Sequence, residues 1–142
     1  MITRALGDRV KNWITHNERA VVAWMGYGSG IHAPGLTDYK LAVRAAHHLL
    51  LSHGQAVPVI RGNSSGAEVG ITLNLAWNVA ASNSRADRDA VRASDGEWFR
   101  WFADPLYGRG YPSDQVADFT KIGALPGGMD FVQPGDLDVI AT

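Results

Sequence analysis

Bulky and polar residues alternate around Val10, Trp13, Ile14 and Thr15, which predicts a short strand over about residues 10–16 with the polar pair Asn17-Glu18 at its downstream end. An apolar run, Ala20 to Tyr27, predicts a short helix that Gly26, Gly28 and Gly30 close into a loop running to Leu36. Thr37 and Asp38 offer an N-cap, and Tyr39, Ala42, Val43, Ala46, Leu49 and Leu50 then recur three and four residues apart, the spacing of one face of a helix over about residues 38–54. A Gly/Ser/Asn turn from Arg61 to Ala67 leads into V-G-I-T-L-N-L, a strand over about 69–75 that is apolar enough for a buried parallel sheet. Strand, helix and strand make a βαβ unit.

On either side of that unit the pattern is less regular. Residues 2–8 read as the last turn of a helix that begins upstream. Val91, Trp98, Phe99 and Trp101 predict a helix over about 85–102, with Asp87 and Asp89 complementing the dipole of its first turn and Pro105 stopping it. A short helix over about 113–122 is followed by the turn cluster Leu125-Pro126-Gly127-Gly128. Weak alternation from Met129 to Thr142 predicts an extended or disordered tail.

Composition narrows the classes. The chain has 142 residues, 46% of them hydrophobic, enough for one domain with a sizeable core. Its 13 basic and 14 acidic side chains are mixed along the sequence, without the clustered Lys/Arg of a phosphate-binding surface, so nucleic acid is not an expected partner. The longest apolar runs, Ala20 to Met25 and Leu49 to Leu51, fall far short of a membrane span, and the first 25 residues lack the basic start and apolar core of a secretory signal. A cytoplasmic protein with no membrane partner is expected. The absence of cysteine excludes disulfides and thiolate metal sites.

The candidate chemistry sits where a strand ends. In a parallel sheet wrapped by helices the loops beyond the carboxyl ends of the strands form the ligand-facing rim, so Glu18 is a candidate acid or base. Asn17 beside it carries both an acceptor and a donor, suited to a sugar hydroxyl. Asn74, near the carboxyl end of the second strand, falls on the same rim. His47, His48 and His53 invite a metal reading, but on a helix ligands belong three or four residues apart, and these pairs are one, five and six apart. They are expected to be packing and polar contacts.

Four blocks in order, L-G-D-R-V-K-N-W-I-T-H-N-E (Leu6 to Glu18), G-Y-G-S-G-I-H-A-P-G (Gly26 to Gly35), A-A-H-H-L-L-L-S-H-G (Ala45 to Gly54) and W-F-A-D-P-L-Y-G-R-G-Y-P (Trp101 to Pro112), give the chain a resemblance to the family-one glycoside hydrolases of the β-glucosidase and β-galactosidase type. The resemblance implies a TIM (β/α)8 barrel. Such a barrel typically needs about 250 residues. The expected fold is therefore α/β, a single incomplete barrel segment over residues 1–142 with about two βα units from the middle of the barrel.

By that resemblance the function is a retaining O-glycosidase that hydrolyses terminal β-linked sugars, with no cofactor and with a β-glycoside or oligosaccharide as substrate. Glu18 is then the acid/base, Asn17 holds the 2-hydroxyl, and His32, in the loop on the leaving-group side, and Asn74 are further substrate contacts. A retaining enzyme also needs a nucleophilic carboxylate about 5–5.5 Å from the acid. Glu68 precedes its strand, on the order of 20 Å from Glu18, and Asp95, Glu97 and Asp104 belong to an outer helix. The family's nucleophile lies in a T-E-N-G segment that this sequence lacks. The family also has proline after the N-E pair, where this chain has Arg19, a cation expected to favour the ionised form of a neighbouring carboxylate. An incomplete barrel leaves sheet edges and apolar faces open, so a homo-oligomer or a complementary barrel segment is expected as partner, and a catalytically inert, self-associating module is the alternative function.

Overall fold

The structure, a computed structural model, describes residues 2–142. In chain order it contains α1 (Ile2–Leu6), β1 (Asn12–Asn17), a π-helix (Val21–Gly28), α2 (Tyr39–Asn63), β2 (Glu68–Thr72), α3 (Arg85–Asp95), a second π-helical turn (Gly96–Arg100), α4 (Trp101–Leu106), α5 (Ser113–Lys121) and α6 (Asp136–Ile140).

The strands β1 and β2 pair in parallel, joined by the crossover helix α2. Asn12 faces Glu68, Trp13 faces Val69 and Ile14 faces Gly70, but the next aligned pair is Asn17 with Thr72. One strand has advanced three residues and the other two, so β1 holds a one-residue bulge at Thr15-His16. Thr15 and His16 consequently both reach α2, through Thr15 Oγ1 to His53 Nδ1 at 2.7 Å and His16 Nε2 to Ser52 Oγ at 2.7 Å. A bulge redirects the side chains that follow it.

α2 starts where the sequence places it, because the Asp38 carboxylate accepts from the amides of Lys40 and Leu41. It does not stop at Gly54, as expected, but continues to Asn63 through Pro58. Gly54 is instead a close-approach position: a Cβ there would collide with the Val139 carbonyl, so the missing side chain admits the tail. Pro58 removes the bond to the Gly54 carbonyl but sits on the exposed side of the helix.

The expected helix over 85–102 forms and runs on to Leu106, with a π-helical turn in its middle. Gly96 opens a π-helical turn where Gln115 packs too closely for a Cβ, and α4 then resumes and carries Pro105 inside it. The chain leaves α4 at Tyr107 and turns at Gly108, φ +70°. Arg92 and Arg100 tie α3 and the turn to α5 through Asp114 and Asp118 at 2.7–2.8 Å. Arg100 holds the Asp114 carboxyl well below the usual carboxylate range.

The tail is neither extended nor disordered. Phe131 and Ile140 are buried, and α6 packs against α2 and α4. His47, fully buried, bonds Tyr111 Oη at 2.9 Å and Asp136 Oδ2 at 3.0 Å, which pins the tail to α2. The core is dense in aromatics: Trp24 stacks on Tyr39 at 5.8 Å, and Trp101 meets Phe119 edge-on at 4.8 Å.

Candidate functional site

The parallel register puts the carboxyl ends of both strands on one rim. Glu18 follows the last residue of β1, and its amide still donates to the Thr72 carbonyl at 3.0 Å, extending the ladder by one bond. At that residue the backbone turns to φ +49°, the left-handed region, which costs a non-glycine residue about 1–2 kcal/mol. Arg19 and Ala20 are already helical. The half-buried Glu18 side chain thus stands at a sharp strand-to-helix corner, and among the described residues no hydrogen bond or ion pair engages its carboxylate.

Asn17 is exposed beside it and lies opposite Thr72 in register. Asn74, two residues beyond Thr72, is exposed on the same rim. The pairing of the strands sets Asn17 and Glu18 beside Thr72, whereas β2 ends at Thr72 and not at the expected Leu75, so Asn74 lies in the segment beyond the strand. His32 is placed differently. It is exposed in the loop after the π-helix, where its amide donates to the Met25 carbonyl at 3.0 Å, on the order of 10 Å along the helix from Glu18.

Glu68 lies at the opposite end, paired with Asn12 at the first register position. Glu97 is held by the Tyr39 hydroxyl at 2.6 Å, Asp95 by Arg100 at 2.7 Å, and Asp104 faces Arg109. Each of these carboxylates is occupied elsewhere in the fold. The three histidines of α2 go to separate partners, His47 as above, His53 to Thr15 and His48 to the Arg44 carbonyl at 2.7 Å. Among the described residues no group of three His, Asp or Glu side chains is placed to hold a metal ion, and no helix is long and apolar enough to cross a membrane.

The structure decides where Arg19 points, which the sequence left open. No ion pair joins it to Glu18. Its side chain is 1% exposed, and one guanidinium nitrogen, Nη2, donates to the Thr72 carbonyl. Nε and Nη1 are buried with no acceptor among the described residues. Burial lowers the Arg19 pKa to about 10. Its charge also bears on the bulge beneath: burial first, then Arg19, lowers the pKa of His16, and the same two causes together with His16 bring His53 down to about 4. Sequence shows an arginine after Asn-Glu but not which way it points, because the direction depends on the left-handed turn at Glu18.

A strand-borne Asn-Glu pair at the rim of a parallel sheet is a recurrent place for a carboxylate that handles protons. The model of the family described as Glycosyl hydrolase family 1 matches residues 1–141. The chain belongs to this family. It is 40% identical over 123 residues to β-glucosidase A of Acetivibrio thermocellus, covering 87% of this chain and 28% of that protein. Against the bifunctional β-D-glucosidase/β-D-fucosidase of Bifidobacterium breve it is 40% identical over 140 residues, 99% of this chain and 28% of the other. The crystal structure of the AHE enzyme from Alicyclobacillus herbarius superposes with a TM-score of 0.92 at 45% identity, over 99% of this chain and 31% of that one. The chain therefore spans under a third of the length of the family 1 proteins it matches. The family fold is a TIM barrel, and β1, α2 and β2 are a piece of one.

Proposed function

We propose that this chain carries the acid/base side of a retaining β-glucosidase-type site. Glu18 donates a proton to the glycosidic oxygen as the bond to the leaving group breaks, and then, as carboxylate, takes a proton from the water that releases the sugar. Asn17 holds the sugar 2-hydroxyl. Asn74 and His32 contact the substrate, Asn74 from the segment just beyond the neighbouring strand and His32 from the leaving-group side. The observation that carries the reading is the emergence of Asn17 and Glu18 at the carboxyl end of β1, beside the end of β2. The attacking carboxylate is supplied by a barrel segment outside these residues, which makes complementary segments the natural partners.

A second reading, an inert module that associates with itself, draws support from the open sheet. Ile14 on β1 is 67% exposed and Trp77, in the segment after β2, is 89% exposed, so apolar surface is left uncovered on and beside a sheet that has two free edges among the described residues.

The readings separate in one assay with a chromogenic β-glucoside. The purified chain alone should give no Glu18-dependent turnover, and addition of family 1 segments carrying the remaining strands should produce activity that Glu18→Gln lowers by roughly 10²- to 10⁴-fold. Activity of the reassembled barrel that is indifferent to Glu18→Gln would sink the acid/base assignment. Reassembly that never yields turnover, with the chain instead forming stable homo-oligomers, would favour the inert module.

A further inference from the structure

Two consecutive residues grip one acceptor. The Thr72 carbonyl takes a bond from the Glu18 amide and another from the Arg19 guanidinium, and between those donors the backbone stands at φ +49°. If the chain continued as a strand past Glu18, the next side chain would be carried away from that carbonyl. The left-handed residue turns it back. Arg19 then disappears beneath the rim, 1% exposed, with the Thr72 carbonyl as the only acceptor its guanidinium has among the described residues. A strained backbone persists where the surroundings over-determine it, and a buried cation committed to one carbonyl supplies that constraint.

We propose that Arg19 is a positioning residue: by closing this two-point grip on Thr72 it keeps Glu18 in the left-handed conformation and so aims its carboxylate off the end of β1. The proposal rests on the reading of Glu18 as the proton donor, but its backbone half can be tested without activity. Glycine relieves a left-handed position and alanine does not, so the difference in melting temperature between Glu18→Gly and Glu18→Ala reports the conformation at this residue. In the chain with Arg19 the glycine variant should melt about 3 °C or more above the alanine variant. In the Arg19→Met background, which keeps the apolar stem and removes the buried charge, the gap should shrink to less than half. An undiminished gap, or a glycine variant no more stable than the alanine one, overturns the proposal. Should Arg19→Met fail to fold, Arg19→Lys retains a cation with shorter reach and should give an intermediate gap, while a gap equal to that of Arg19 overturns the proposal.

The catalytic half is read on the reassembled barrel. Arg19→Met should lower kcat/KM by about tenfold on a β-glucoside with a poor leaving group, because a misaimed acid loses most where protonation matters most. A dinitrophenyl β-glucoside, whose leaving group needs little protonation, should keep its kcat/KM nearly unchanged, because that ratio reports only the step that forms the glycosyl-enzyme and not the later step in which Glu18 acts as base. Equal losses of kcat/KM on both substrates overturn the positioning role. Turnover that ignores Glu18 altogether sinks the proton-donor reading instead, and the melting comparison still decides what Arg19 does to the backbone.

Discussion

The aromatic cluster around Trp101 and the rim around Glu18 are built on opposite terms. Trp101, Phe102, Phe119, Leu125 and Ile140 are almost fully buried, and they come from α4, α5, a turn and the tail. Every side of that cluster is covered by this chain. At the rim the strands end in exposed Asn17 and Asn74, the neighbouring Ile14 lies open, and Glu18 sits on a backbone that glycine would adopt more easily. Interior surface accounts for the first region, and hydrogen bonds to a single carbonyl hold much of the second. The contrast separates what this stretch of sequence stabilises by itself from what it presents to something else.

The largest expected effect tests the self-sufficient half. Trp101→Ala removes a fully buried ring that touches Tyr111 and Phe119, and should destabilise the chain by about 3–5 kcal/mol in chemical denaturation. A loss under about 1 kcal/mol would mean that the cluster is less closely packed than these contacts imply.

An intermediate effect probes the layer between the two regions. His53 folds with its pKa lowered to about 4, chiefly by burial, and His16 and His47 are lowered too. Below the ordinary histidine value of about 6.5 the unfolded chain binds protons that the folded chain refuses, so folding is most stable above that pH. Stability should fall as pH drops from about 6.5 towards 4, by up to about 1.4 kcal/mol per pH unit for each histidine involved. Denaturation midpoints measured across this window should show a shallower slope in His53→Gln. An unchanged slope would remove His53 as a source of the acid sensitivity.

The smallest effect belongs to the open face. Ile14→Ser should change the stability of the isolated chain by no more than about 0.5 kcal/mol, since the side chain is already mostly in water. The same substitution should weaken self-association in sedimentation experiments if that face is sticky. A large loss of monomer stability would instead place Ile14 inside the fold.

What could be read from sequence follows the same division. The βαβ order, the Asp38 cap and the apolar stripe of α2 are local patterns, and a strand-end carboxylate can be recognised by its position after alternating residues. The features that escaped prediction depend on distant neighbours. Gly54 looks like a helix terminator until the Val139 carbonyl arrives beside it, and Gly96 yields to Gln115. The tail gains its helix because Asp136 meets a histidine far back along the chain at His47. Arg19 beside Glu18 is legible as a nearby cation but not in its direction, and the three-dimensional turn sends its guanidinium to Thr72.

Side chains on a strand point alternately to its two walls, so odd and even positions acquire different fates. By absorbing one extra residue between Ile14 and Asn17, β1 reverses that parity for everything downstream. A single-residue insertion or deletion, harmless in most surface loops, would here exchange the walls faced by Asn17 and Glu18 while leaving the rest of the sheet intact. The placement of the candidate residues at this rim tolerates substitution far better than a shift of one.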